Sequence, residues 1–459
     1  MSRTNRTYDE IQVGESGSVT RVCTADDFII FAHATGNLNP IHLPEVAGEN
    51  AVAPGMYVGS LFSAVIGNVL PGVGSIYQSQ TLRFHRRVKV GEELTAKLTV
   101  IEKGKDRLVT FDCKLTNERG DLISDGIGTV TAPDQKITME DTRLGPLVIK
   151  KHEKYHNLLA KARSLGATPT AVAYPCDEVS LRGPIEAAEQ GLIEPILIGP
   201  ADKIQALAAQ FHLSIERYRL VPVATPHAAA SKAVELVHAG EAKMVMKGSL
   251  HSDELLHEVI KSQGGLRTGR RISHTFVLDV PGLERPLFVS DAALNIAPDL
   301  MTKVDITQNA IDLAQALGNP NPKVAILCAV ETVNPAMPAT LEAAALSKMA
   351  ERGQIKGGIV DGPLAMDNAI NVEAARTKGI NSLVAGNADV LIVPNIESGN
   401  MVVKELTFLA HADAAGVVVG ALVPVVLTSR ADNVVARLAS CASAALYGYF
   451  RKTGKPWMG

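Results

Sequence analysis

Residues 56–70 read MYVGSLFSAVIGNVL. Apolar side chains fall on nearly every side of the helix this stretch would form, and Gly59, Ser60, Ser63, Ala64 and Gly67 supply small surfaces between them. A helix with no polar face is expected to be buried on every side. Downstream the period changes to two. Leu94, Ala96, Leu98 and Val100 alternate with Thr95, Lys97 and Thr99, and Phe111, Cys113 and Leu115 alternate with Asp112 and Lys114. Such alternation marks half-buried strands. The intervening stretches 102–106 (EKGKD) and 117–121 (NERGD) have turn composition. The first part of the chain therefore reads as a buried helix wrapped by a curled antiparallel sheet.

That layout is the α+β arrangement of a hotdog fold. Further along, residues 133–146 are polar and turn-rich, from Pro133-Asp134-Gln135-Lys136 to Gly145-Pro146. The expected division is a first domain at 1–133, a linker at 134–146 and a second domain at 147–459. Beyond the linker, short apolar runs alternate with helical stretches. Strands are expected at 171–174, 196–198, 244–246, 275–278, 287–289, 324–327, 358–360, 390–393 and 423–427, with helices such as 339–351 and 433–450 between them. This is α/β grammar with a mostly parallel sheet. Ligands of open α/β sheets bind beyond the carboxyl ends of strands. The chemistry is expected on the loops Lys247-Gly248-Ser249, Asp361-Gly362-Pro363, Pro394-Asn395 and Thr428-Ser429-Arg430.

Composition excludes several classes. The 459 residues are 46% hydrophobic and 20% charged, and the net charge of −3 is spread evenly, so no basic excess marks a nucleic-acid binder. The short basic stretch 83–89 reads as a solvated strand face. Cys23, Cys113, Cys176, Cys328 and Cys441 are scattered without a CxxC pair, which suggests neither a disulfide framework nor a metal site. The start, MSRTNRTYDE, lacks the apolar core of a signal peptide, and apolar runs stay short of a membrane span. A cytoplasmic protein without membrane contact is expected.

Residues 31–43 read FAHATGNLNPIHL, followed by Pro54-Gly55-Met56 and by 75–84, SIYQSQTLRF. Here the chain resembles the MaoC-like, (R)-specific enoyl-CoA hydratase family over roughly residues 8–132. The resemblance implies that a water held by an Asp and a His adds to an enoyl thioester. His42 matches the His, and Gly55 matches the Gly whose backbone N–H steadies the enolate oxygen. Ser63 is expected to face the thioester. Position 37, where the family carries Asp, is Asn37. An amide accepts no proton and gives an imidazolium no charge stabilisation. Two readings stay open: a hydratase working on His42 alone, or a domain that binds CoA thioesters or assembles the oligomer.

From about 147 to 455 the chain resembles the phosphate acetyl/butyryltransferase family. The resemblance rests on 246–249 (MKGS), 266–268 (LRT), 273–277 (SHTFV), 291–298 (DAALNIAP), 360–364 (VDGPL) with Asp367-Asn368-Ala369, 393–400 (VPNIESGN) and 427–432 (LTSRAD). It implies a two-subdomain α/β fold like the isocitrate and isopropylmalate dehydrogenases, with coenzyme A and acyl-CoA as substrates and no bound cofactor or metal. Acyl phosphate and inorganic phosphate complete the ligand set. A thiol with pKa near ~8.5 needs a base, and a phosphate needs a cationic fork. By resemblance Ser429 orients the thiol or phosphate, Arg430 binds phosphate and steadies the transition state, Asp432 is the base, and Arg267 is a second phosphate ligand. Asp361, Asp367, Asn395 and Asn400 are expected in the cleft, although turn or cap roles fit them equally. Ser429 and Asp432 could likewise cap the helix that follows. No Walker or dinucleotide glycine motif occurs, so the dehydrogenase-like fold does not imply NAD.

The leading reading is a transferase fused to a hydratase-like domain, both handling acyl-CoA, in a homo-oligomer. The rival is a non-catalytic acyl-CoA sensor or assembly module.

Overall fold

The structure, a computed structural model, describes residues 2–140, 153–427 and 433–458. The chain divides into two compact units, residues 1–147 and 148–459.

The first unit contains β1 (Ser2–Thr4), β2 (Ser16–Val22), α1 (Ala25–Thr35), α2 (Pro44–Ala47), α3 (Gly55–Asn68), β3 (Ile76–Gln80), β4 (Arg83–Phe84), β5 (Glu93–Lys103), β6 (Leu108–Asn117), β7 (Leu122–Thr131) and β8 (Thr138–Glu140). Its antiparallel sheet runs β2-β5-β6-β7-β3, with β4 also on β7. The alternating residues point as expected: Leu94, Ala96, Leu98, Val100, Phe111, Cys113 and Leu115 are buried against Phe62, Val65 and Ile66 of α3. Each Leu, Val or Phe among them contributes about 1.5–3 kcal/mol on burial. The expectation that α3 is buried all round is corrected. Met56, Ser60, Ser63 and Gly67 form an exposed row along it, because the sheet covers only the face bearing Tyr57, Val58, Leu61, Phe62 and Val65. Small residues lose little by facing solvent. Residues 138–140, inside the expected linker, form β8 and pair with β1. The rest of that stretch, 141–146, lies outside the described residues.

The second unit begins with α4 (Glu153–Leu165), β9 (Thr168–Ala173), α5 (Glu178–Glu189), β10 (Ile193–Gly199), α6 (Ala201–Gln210), β11 (Arg219–Pro222), α7 (Pro226–His238), β12 (Met244–Lys247) and α8 (Ser252–Ile260). It continues with β13 (Ser273–Asp279), β14 (Leu287–Ser290), α9 (Leu300–Ala316), β15 (Lys323–Leu327), α10 (Pro338–Glu351), β16 (Ile359–Leu364), α11 (Met366–Ile370), α12 (Val372–Thr377) and β17 (Val390–Ile392). It closes with α13 (Ile396–Phe408), β18 (Asp413–Val419), β19 (Val425–Val426) and α14 (Val434–Thr453). None of the described helices is long and apolar enough to cross a membrane.

One sheet runs through the unit in the order β11-β10-β9-β12-β19-β18-β13-β14-β17-β15-β16. The first five strands are mutually parallel, and so are the last four. Antiparallel β18 and β13 join the two blocks. The result is two α/β halves sharing a sheet. Tyr155, Leu181, Ile311 and Tyr447 pack in one core, Ala229, Leu255 and Val259 in a second, and Leu278, Ala375 and Val403 in a third.

Two strands were not expected. Only one strand, at 423–427, was expected after 390–393, but residues 413–419 form β18, and the chain turns back at Gly420 (φ +91°) to reach β19. A Cβ at Gly420 would lie 2.7 Å from the Arg271 carbonyl oxygen, so this tight turn needs glycine. The other, β11, is a four-residue edge strand, too short to show an alternating pattern. Asp361-Gly362-Pro363, expected as a loop, lies within β16, where Gly362 permits close approach to Ile326 of β15.

Candidate functional site

In the second unit, the loop after β12 is held by backbone pairing. The N–H groups of Gly248 and Ser249 donate to the carbonyls of Ala173 and Tyr174, each at 2.8 Å. Ser249 Oγ donates to the Tyr174 carbonyl at 2.9 Å and accepts the Cys176 N–H at 3.2 Å. Tyr174 itself holds φ +58°, a strained conformation of the kind that gathers at functional sites. Gly248 leaves no space for a side chain, since a Cβ would sit 2.3 Å from Ala173 O and 2.4 Å from Tyr174 O. Gly248→Ala is expected to cost about 1–3 kcal/mol and to displace this loop. A lowered thermal midpoint checks it; an unchanged melt would show that the loop yields.

This loop walls a cavity of about 680 Å³. Lys247, Ser249 and His251 line one side, and α8 begins there with the half-turn capped by His251. The open N–H groups and dipole of a helix start, with the Lys247 ammonium, favour anions. Ser252 and the acidic Asp253 of the first turn of α8 also line it, and the rest is apolar: Leu250 and Leu256, Phe276 of β13, Ala293 and Leu294 beyond β14, and Leu427 just beyond β19. The cavity thus joins an anion-seeking wall to an apolar one. A second cavity, about 620 Å³, lies at the amino ends of β9, β12 and β19, lined by Thr168, Lys243 and Pro424. The carboxyl-end rule favours the first.

His274, on β13, also lines the first cavity and is only 3% exposed. It lies opposite Val418 of β18 and close to Asp291, which follows β14. Burial pushes the imidazole pKa down to about 4, and Asp291 offsets this only in part. The Asp291 carboxylate is itself saturated by the N–H groups of Ala293, Leu294 and Asn295 and by Asn295 Nδ2. The unfolded chain, with its His near 6.5, therefore takes up this proton before the folded protein does. The stability linked to this group is intact above about pH 6.5 and falls by about 3 kcal/mol as pH drops to 4. The melting midpoint of His274→Phe is expected to fall less than the wild type's between pH 7 and 4.5. Equal falls would contradict the assignment.

Ser429, Arg430 and Asp432 lie outside the described residues, which resume at Asn433 just beyond them. Asn433 caps α14 by accepting the Ala436 N–H, so the capping role open to Ser429 and Asp432 belongs to Asn433. Arg267 is exposed and next to Thr268, a residue of the second cavity rather than the first. Asn395 is the cap of α13, accepting the Ser398 N–H and hydroxyl. Asn400 is exposed on α13. Asp361 accepts the Gly362 N–H. Asp367 is exposed, and the Asn368 N–H and the Lys378 ammonium at 3.3 Å hold its carboxyl low. None of these five lines the first cavity. Lys247, Ser249, His251 and His274 do. Lys247 and Ser249 had a signal, their place at a strand's carboxyl end; His274 lay in the 273–277 stretch that carries the resemblance, with nothing in the residues alone to assign it a role.

In the first unit, His42 Nδ1 lies 2.8 Å from the Val52 carbonyl. A carbonyl only accepts, so Nδ1 carries the proton and Nε2 keeps a lone pair while the ring is neutral. The Val52 N–H pairs back to the Ile41 carbonyl, and the chain runs from Val52 through Pro54 into α3. The His42 loop is thereby tied to the helix start. Gly55 opens α3, where backbone N–H groups lack helical partners. Ser63 sits exposed on the same helix. Asn37 is half-buried, and its Oδ1 accepts the Asn39 N–H at 3.3 Å.

A family model described as "Phosphate acetyl/butaryl transferase" matches residues 224–445, and one described as "MaoC like domain" matches residues 10–118. A phosphate acetyltransferase of Rhizobium meliloti is 61% identical over 302 residues, covering 66% of this chain and 96% of that protein. A phosphate butyryltransferase of Clostridium acetobutylicum is 44% identical over 294 residues, covering 64% of this chain and 98% of that one. Among solved structures, a branched-chain phosphotransacylase from Enterococcus faecalis V583 superimposes with a TM-score of 0.55 at 31% identity, covering 61% of this chain and 99% of that chain.

Proposed function

Because the chain belongs to the phosphate acetyl/butyryl transferase family, with a MaoC-like domain ahead of the transferase, we propose that it interconverts acyl-CoA plus phosphate with acyl phosphate plus CoA. The observation that carries this is 61% identity across 96% of an acetyltransferase. The cavity supports it, with an anion-seeking wall beside an apolar one and Leu427 leading into the Ser429–Arg430–Asp432 stretch.

In the direction of CoA acylation, the thiol proton passes to a base, for which we assign Asp432. The sulfur then bonds to the acyl carbon, and the bond from that carbon to the phosphate oxygen breaks. Phosphate leaves with the electron pair, and Arg430 holds it bidentately. Ser429 orients the thiol or a phosphate oxygen. Lys247 and the start of α8 suit the anionic parts of the substrates. Roles in the cleft for Arg267, Asp361, Asp367, Asn395 and Asn400 have less support, since the first cavity's lining excludes them.

For the first unit we propose an acyl-thioester site with slow hydration, His42 Nε2 acting as the base and the Gly55 N–H facing the enolate oxygen. A homo-oligomer is proposed with it, supported by the exposed row on α3 and by Ile76 on the edge strand β3, which is 63% exposed.

The test is phosphate-dependent CoA release from acetyl-, propionyl- and butyryl-CoA. Release that requires phosphate is expected. Tight acyl-CoA binding without release from any of the three would favour the sensor reading instead.

A further inference from the structure

We propose that His274 is a further catalytic residue of the transferase site: a neutral imidazole that hydrogen-bonds the acyl carbonyl oxygen while the acyl group passes between phosphate and thiol. The inference rests on the transferase reading and adds to it a donor for the reacting carbonyl.

Three observations carry it. His274 lines the 680 Å³ cavity although almost wholly enclosed, so its ring is fixed in place at the cavity wall. Its Nδ1 is sealed from solvent and has no hydrogen-bond partner among the described residues. A buried unsatisfied nitrogen calls for an explanation, and a catalytic role at a cavity wall is one of the explanations that such groups have. Third, the sheet makes room for this ring specifically. Gly416, on β18, faces it, and a Cβ there would lie 2.6 Å from Cε1 and 2.7 Å from Nε2. Phe276 packs edge-on against the ring, at 4.4 Å between centroids.

The chemistry follows from the surroundings. A sealed N–H without a partner is rarer in folded proteins than a sealed lone pair, so the proton belongs on Nε2 and Nδ1 keeps its lone pair. Burial keeps the ring uncharged at neutral pH. An uncharged donor among Phe276, Leu294 and Leu427 is poorly suited to a phosphate dianion, which needs a cation. It suits a carbonyl oxygen that gains negative charge as sulfur attacks, and neutral imidazole is known to act in this electrophilic way. His274 keeps its proton throughout. The thiol proton goes to the base and the electron pair leaves with phosphate, so the balance of the reaction is unchanged.

The experiment uses the full chain and butyryl-CoA with inorganic phosphate, reading kcat and KM together with the thermal melt of each variant. His274→Phe, which keeps an aromatic ring but removes the donor, is expected to lower kcat about 10²-fold with KM for both substrates within about threefold. His274→Gln, whose amide N–H can replace the donor, is expected to recover at least about tenfold of that loss. Gly416→Ala, which displaces the ring, is expected to lower kcat like His274→Phe. A folded His274→Phe with kcat within about threefold of wild type, or a loss confined to KM, overturns the inference while leaving the transferase reading intact. If His274→Phe does not fold, Gly416→Ala and His274→Gln decide: kcat unchanged in the first, or no better than background in the second, overturns it. A wild type that releases no CoA overturns both readings together.

Discussion

Arg430→Ala is expected to lower phosphate-dependent CoA release by about 10³-fold or more. The transferred group moves to or from a phosphate carrying at least one full negative charge, and the bond that breaks leaves further charge on its oxygens. Arginine meets that charge with two parallel N–H donors and cannot lose its proton. Removing a preorganised donor commonly costs 10²–10³ in kcat, and an arginine acting on phosphoryl charge can be worth 10³–10⁵. Lys247 and the amino end of α8 would still attract the anionic substrates in the variant, so the loss is expected mainly in kcat, with KM for phosphate rising less. Arg430→Lys should recover part of the rate, because charge returns without the fork. Steady-state release of CoA, followed by thiol titration over a range of phosphate, reads both effects. An Arg430→Ala enzyme within tenfold of wild type would remove Arg430 from the mechanism.

In the first unit, Asn37→Asp is expected to raise hydration of crotonyl-CoA, by about 10²–10⁴-fold. The lower figure is a modest acid–base contribution, and the upper is the scale on which losing a carboxylate beside a catalytic His is costly in other enzymes. The geometry favours a gain. The Val52 carbonyl already fixes the His42 tautomer, leaving Nε2 as the base. What the unit lacks is a charge to orient the water and steady the imidazolium. The substitution should not disturb the backbone, since among the described residues the Asn37 side chain accepts the Asn39 N–H through Oδ1, and a carboxylate oxygen does the same. Loss of enoyl absorbance measures the rate. If neither form hydrates crotonyl-CoA, the unit is a binding or assembly domain.

Much of the fold was readable because its periods are unambiguous. The alternation in β5 and β6 reports one buried face, and the structure buries those residues. Failures came where local pattern and tertiary context part company. One strand was expected at 423–427, whereas the reversal at Gly420 makes a second from residues 413–419. The apolar circumference of α3 looked like complete burial, but a single sheet covers a single face. Asn395 could have been ligand or cap; only the direction of its side-chain oxygen toward the Ser398 N–H made it a cap.

The sequence alone determined the two-part organisation, the resemblance of each part to a family of CoA-thioester enzymes, and the identity of Asn37, Ser429 and Arg430, because motif and period are written in residue order. Only the tertiary structure could decide which side chains share a cavity. His274 lines the cavity because antiparallel pairing sets it opposite Val418 and beside the end of β14, with its ring over Gly416 two residues along β18. Lys247 and Leu294, 47 positions apart in the chain, meet there for the same reason. Proximity of that kind comes from strand order and direction, and neither composition nor spacing encodes it.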